Sequence, residues 1–148
     1  MFKRIMVATD GSSTSMRAAE IAVELARISG GSVKAIYVVD IYRLARLPGY
    51  TAFPSLSGQL MELMLREGEL ATAEAEDMAY KTGVPFTRII AQGDPSEEIL
   101  KRSLDSGSDL LVLGRIGRSG LEKILLGSVA EKVVRHSRIP VLIIPTRS

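Results

Sequence analysis

Five short runs of apolar residues recur along this chain, and each stops at turn residues. They cover 5–8, 33–39, 86–91, 110–113 and 141–144. In 5–8, 110–113 and 141–144 hydrophobicity is continuous rather than alternating, as expected of strands buried on both faces. Between them lie segments with helical spacing. Ala18, Ile21, Ala22, Leu25 and Ile28 mark a first helix, which Gly30 and Gly31 stop. Residues 57–81 read as a long helix with Leu60, Leu63, Met64, Ala71, Ala75 and Met78 on one side. Gly68 weakens it by about 1 kcal/mol relative to alanine. Asp94, Pro95 and Glu97 give a capping acid, a first-turn proline and an acid three residues on, a strong helix start. Ile99, Leu100 and Leu104 continue that helix, and 128–135 forms a last one. Strand alternating with helix implies βαβ units, hence an α/β doubly wound sandwich: a five-stranded parallel sheet with helices on both faces, here four of them.

Length and composition narrow the class. The 148 residues are expected to form a single domain, 1–148, large enough to bury a core. The absence of cysteine excludes disulfides and thiolate metal sites, and a lone histidine makes a structural zinc site a poor reading. No stretch reaches the roughly 18 apolar residues of a membrane span, and the N-terminal apolar run is too short for a signal segment. A cytoplasmic protein with neither membrane nor nucleic acid as partner is the expectation.

The fourth run empties into glycines: Gly114, Arg115, Ile116, Gly117, Arg118, Ser119, Gly120, then Gly127 and Ser128 opening a helix. Glycines let backbone N–H groups approach a ligand, and a helix N-terminus adds unpaired N–H groups and partial positive charge. Phosphate is the expected occupant, which points to a nucleotide. Residues 114–148 hold seven Lys/Arg against two Asp/Glu, whereas 1–113 hold twelve against fifteen, so the net +2 conceals a basic C-terminal portion. Lys132, Arg135 and Arg138 read as a solvated helix face and end. Arg115 and Arg118, lying among the glycines, are candidates for anion contact. His136 suits the C-terminal end of a helix dipole better than catalysis.

In a doubly wound sheet, ligands bind beyond the carboxyl ends of the strands where the winding reverses. That brings Thr9, Asp10, Gly11 and Ser12 toward the glycine turn. Neither a Walker P-loop nor a dinucleotide fingerprint is present. What is present is Gly114-x2-Gly117-x9-Gly127-Ser128. This resembles the G-x2-G-x9-G-[ST] ATP-binding signature of the universal stress protein family. The resemblance runs essentially end to end: 5–12 looks like the family's first strand and acidic turn, 36–40 like its second strand, and 124–133 and 138–145 like its closing helix and strand. It implies an adenine nucleotide alpha hydrolase-like sheet of order 3-2-1-4-5. It also implies an ATP site, with Ala8 and Thr9 beside Asp10, which holds the ribose or a magnesium through water. The Val38 backbone reads the adenine edge, and Gly114, Gly117, Gly127, Ser128 and Val129 cradle the phosphates. Ile116 offers no hydrogen bond where many relatives have a polar group, so Arg115 or Arg118 and backbone donors carry more of the binding.

Several readings stay open. Asp10 and Ser128 also suit plain capping roles. The segment 40–57 lacks periodicity and reads either as a flap near the nucleotide or as a surface loop without a role. The last strand is expected at the sheet edge, and the resemblance implies a homodimer in which Val141–Ile144 pairs across a two-fold axis. Pro140 and Pro145 oppose that by limiting pairing. No nucleophile–base pair or paired carboxylates emerge, which favours a nucleotide-binding regulator of the stress response over an enzyme. The competing readings are a slow magnesium-dependent ATPase using the same site and an interaction module with an empty one.

Overall fold

The computed structural model describes residues 1–50, 52–116 and 126–146. Its elements are β1 (Arg4–Ala8), α1 (Ser13–Ser29), β2 (Ser32–Asp40), α2 (Ile41–Ala45), α3 (Pro54–Thr82), β3 (Phe86–Gly93), α4 (Pro95–Asp105), β4 (Leu110–Gly114), α5 (Ser128–His136) and β5 (Val141–Ile144). The sheet has the order β3-β2-β1-β4-β5, and every neighbouring pair is parallel. The winding reverses between β1 and β4, and β5 is an edge strand, both as expected.

The continuous apolar runs are explained by two buried faces. Ile5 and Val7 of β1, with Val33, Ala35, Leu110 and Val112, pack under α1 and α3. Met6, Ile36, Leu111 and Leu113 point to the opposite face, against Ile99 of α4 and Val133 of α5. Successive side chains on a strand alternate between faces, so a strand covered on both sides must be apolar throughout. Helix α1 meets the sheet through Ala18, Ala19, Ala22 and Ala26, all fully buried. Its small side chains let the backbone approach closely. Ser12 caps its start, and Gly30, in the left-handed region at φ 73°, ends it.

Three expectations change. Among the described residues there are five helices, not four, because α2 occupies part of the segment read as aperiodic. Helix α3 begins at Pro54 rather than at 57, with proline in the first turn where its missing N–H has no cost. The buried stripe of α3 is Gly68, Ala71, Thr72, Ala75 and Ala79, while Leu63 is 51% exposed. Ile28 and Leu104, counted toward apolar stripes, are also exposed.

Gly68 does more than weaken its helix. A Cβ there would lie 2.7 Å from the Tyr37 ring. That ring is buried against Val39, Leu44 and Ala71, so the glycine is what lets α3 close over β2.

Candidate functional site

The carboxyl ends of the strands carry the chemistry. Beyond β1, Thr9 N–H still donates to the Ile36 carbonyl at 2.9 Å, which prolongs the β1–β2 ladder by one residue. The buried Thr9 hydroxyl lies 3.1 Å from the Ser15 hydroxyl, and it accepts from Gly11 N–H at 3.2 Å. Asp10 Oδ1 accepts from Ser12 N–H at 2.9 Å, and Ser12 Oγ accepts from Ser15 N–H at 3.2 Å. The acidic turn is therefore braced before any ligand arrives. Asp10 has a turn role, but the cap of α1 is Ser12.

Beyond β4, Arg115 N–H donates to the Ile144 carbonyl, and Gly127 N–H donates to the Arg115 carbonyl, both at 2.8 Å. The chain thus leaves the sheet at 115 and returns to the same point at 127, so the ends of the glycine-rich segment are tied together. Gly117 and Arg118 lie outside the described residues. Gly114 is fitted for close packing: a Cβ would lie 2.8 Å from Thr14 Cγ2 at the start of α1. The Arg115 guanidinium donates from Nη2 to Thr146 Oγ1 at 2.7 Å, so this arginine braces the chain after β5. Its Nε is buried with no partner among the described residues.

Helix α5 is capped by Gly127 rather than Ser128, and a glycine brings no side chain to bond its first turn. The opening N–H groups of a helix have no intrahelical acceptor, so this end is suited to an anion. Ser128 is exposed and Val129 half-buried beside it.

These two residues line a crevice of about 210 Å³ that reading the sequence did not find. One wall is α2 and the residue after it: Tyr42, Arg43 and Arg46. Opposite stand Asp94, Pro95 and Ser96 at the start of α4, with Lys132 one turn into α5. Asp40 closes the wall as the cap of α2, its Oδ1 accepting from Arg43 N–H at 3.0 Å. Asp94 Oδ2 accepts from the Ser96 hydroxyl at 2.7 Å and from Glu97 N–H at 3.1 Å. The Ser96 hydrogen bond, aided by Glu97 N–H and the Lys132 charge against some burial, holds the Asp94 carboxyl below its ordinary range. It is a carboxylate at neutral pH.

Of the nucleotide-site residues expected from the sequence, the crevice takes in Ser128 and Val129. Ala8 ends β1 and Thr9 and Asp10 follow it, Val38 lies in β2 packed among Met6, Ile36 and Ala91, and Gly114 ends β4 with Arg115 next. All belong to the same end of the sheet. The spacing of Arg43 to Arg46, three apart, and of Ser128 to Lys132, four apart, was the available signal for the crevice, because each pair shares a helix face.

Among the described residues no three His, Cys, Asp or Glu side chains cluster to hold a metal ion, and no helix is long and apolar enough to cross a membrane.

Residues 1–145 match the model of the universal stress protein family. The universal stress protein MJ0531 of Methanocaldococcus jannaschii is 38% identical over 144 residues, which is 97% of this chain and 82% of that protein. The solved structure of MJ0577, from the same organism, superposes with a TM-score of 0.83 at 27% identity, covering 100% of this chain and 99% of the other. A universal stress protein solved in complex with cAMP superposes at 0.68 with 28% identity, covering 99% of this chain and 98% of the other. With fold, turn spacing and sequence match in agreement over nearly its whole length, the chain belongs to the universal stress protein family.

Proposed function

We propose that this protein is an ATP-binding regulator of a cytoplasmic stress response, not a catalyst. The observation that carries the reading is the α5 N-terminus, capped by a glycine and tied through Gly127 to the end of β4, across the winding reversal from the braced Asp10 turn. The relative solved with cAMP supports an adenine nucleotide as the ligand class.

In this reading Asp10 holds the ribose, with Ala8 and Thr9 shaping its turn, and the Val38 backbone meets the adenine edge. Gly114, Gly117, Gly127, Ser128 and Val129 surround the phosphates, assisted by Arg115 and Arg118. Magnesium fits as an ion that arrives with the phosphates and keeps most of its waters, Asp10 reaching it through one of them.

The test is a thermal melt with and without magnesium-ATP, on wild type and Asp10→Ala. Ligand at a hundred times its Kd adds about 2.7 kcal/mol to stability. The expected result is a clear upward shift in wild type and a much smaller one in the variant, with no phosphate release above the variant's background. Equal shifts in the two proteins would remove Asp10 from the site, and phosphate release lost in Asp10→Ala would make the protein an ATPase.

We also propose a homodimer through β5. The strand is an edge, and Val141, Leu142 and Ile143 remain partly exposed. An apolar edge with free backbone groups invites pairing with a second copy about a two-fold axis. Pro140 and Pro145 flank the strand and leave its middle free to pair. Light scattering at tens of micromolar, roughly where a contact with Kd near 1 µM is saturated, is expected to give twice the chain mass. A monomer there contradicts the proposal.

A further inference from the structure

The crevice between α2, α4 and α5 holds an imbalance that the nucleotide reading does not use. Arg43, Arg46 and Lys132 line it, and all three are exposed. Among the described residues none of them forms an ion pair; the pairs present are Arg27–Glu24, Lys81–Asp77, Arg102–Glu98 and Arg135–Glu131. Two carboxylates, Asp40 and Asp94, also line the crevice; both keep their charge while capping helices, and the Lys132 charge acts on Asp94. Asp40 accepts from Arg43 N–H as the cap of α2, and Asp94 accepts from Ser96 and Glu97 as the cap of α4. Three cations against two carboxylates leave the lining of this concave space one positive charge in excess, and its two arginines belong to α2 and the residue after it.

Guanidinium groups match phosphate oxygens with paired N–H donors, which makes arginines on one wall a phosphate-recognising arrangement. Ser128 and Val129 belong both to this crevice and to the proposed phosphate cradle. The crevice therefore continues from the cradle toward α2.

We infer that Arg43, Arg46 and Lys132 form a second phosphate subsite, which makes the protein discriminate nucleotides by the length of their phosphate chain. The inference rests on the nucleotide reading for its ligand, but not for its chemistry. The same groups accept phosphate oxygens whether these belong to the outer phosphates of a nucleotide or to free pyrophosphate. Tyr42 stands beside the arginines on the same wall.

The experiment compares wild type with Arg43→Ala/Arg46→Ala by calorimetry, using ATP, AMP and inorganic pyrophosphate as separate probes. Both side chains are exposed and make no side-chain bond among the described residues, so the variant is expected to fold, and circular dichroism checks this. Expected is a loss of tenfold or more in ATP affinity with AMP affinity unchanged within twofold. ATP and AMP weakened alike, or neither weakened, overturns the subsite and leaves the nucleotide reading standing. Should wild type bind no nucleotide, that reading fails and pyrophosphate decides alone. Pyrophosphate binding lost in the variant upholds an anion subsite, and no pyrophosphate binding by wild type overturns it.

Discussion

Gly31→Ala is expected to destabilise the protein by about 2–3 kcal/mol, at the upper end of what overpacking usually costs. A Cβ at residue 31 would lie 2.5 Å from the Lys3 carbonyl oxygen, 2.7 Å from its Cα and 2.8 Å from its carbonyl carbon. These are backbone atoms, so no rotamer change relieves the clash. The Lys3 carbonyl is itself held by Ser32 N–H at 2.8 Å, and Gly31 N–H donates to Ala26. Relief would therefore pull β1 from β2 or unseat the end of α1. The smaller unfolded-state entropy of alanine returns only about 0.4–1 kcal/mol. The neighbouring Gly30 is a useful control. It has φ 73°, and a Cβ there would meet nothing within 4 Å. Its replacement by alanine meets left-handed backbone cost alone, about 1–2 kcal/mol. Urea unfolding of both variants checks the order, and a Gly31→Ala change within 0.5 kcal/mol of wild type (about the size of a surface substitution) contradicts the packing argument.

Gly127→Val is expected to lower ATP affinity well over tenfold, more than about 1.4 kcal/mol. Gly127 has φ −66° and ψ 162°, an extended conformation that valine adopts without strain. As a helix cap, valine gives up the modest advantage of glycine, about 1 kcal/mol or less. What changes is the approach to the α5 N-terminus, where a branched side chain would stand beside the N–H groups proposed to meet phosphate. Calorimetry on the folded variant checks this, and wild-type affinity would show that the phosphates sit elsewhere. Gly117 is expected to behave alike by motif, although it lies outside the described residues.

The central strands β1 and β4 could be read from the sequence because strands buried on both faces are apolar nearly throughout and end at turn residues. The Asp94–Pro95 start of α4 was equally plain, since capping is local chemistry. Helix α2 was not, because five residues with only Leu44 buried carry no period. Its cap, Asp40, is also the last residue of β2, so one residue serves both elements. Periodicity also overstated the buried stripes. In α1 the buried face runs through Ala18, Ala19, Ala22, Val23 and Ala26, and Ile28 lies on the other side of the helix, exposed. The tight glycines 31, 68 and 114 are invisible to any local rule, because each is required by a residue far away in sequence: Lys3, Tyr37 and Thr14.

At the site, the glycine spacing was legible and the arrangement around it was not. The motif pointed to Asp10, Gly114, Gly127 and Ser128, which the fold brings to one end of the sheet. It could not reveal that Arg115 is engaged with Thr146, or that Arg43, Arg46 and Lys132 share a crevice. Those facts depend on how α2, α4 and α5 meet.

The most direct test of the central claim is a calorimetric titration of magnesium-ATP into the purified wild-type chain, first freed of any nucleotide carried through purification. A saturable site with one ATP per chain is the predicted result. No binding heat, and no displacement of a fluorescent adenine nucleotide, up to millimolar ATP would contradict it.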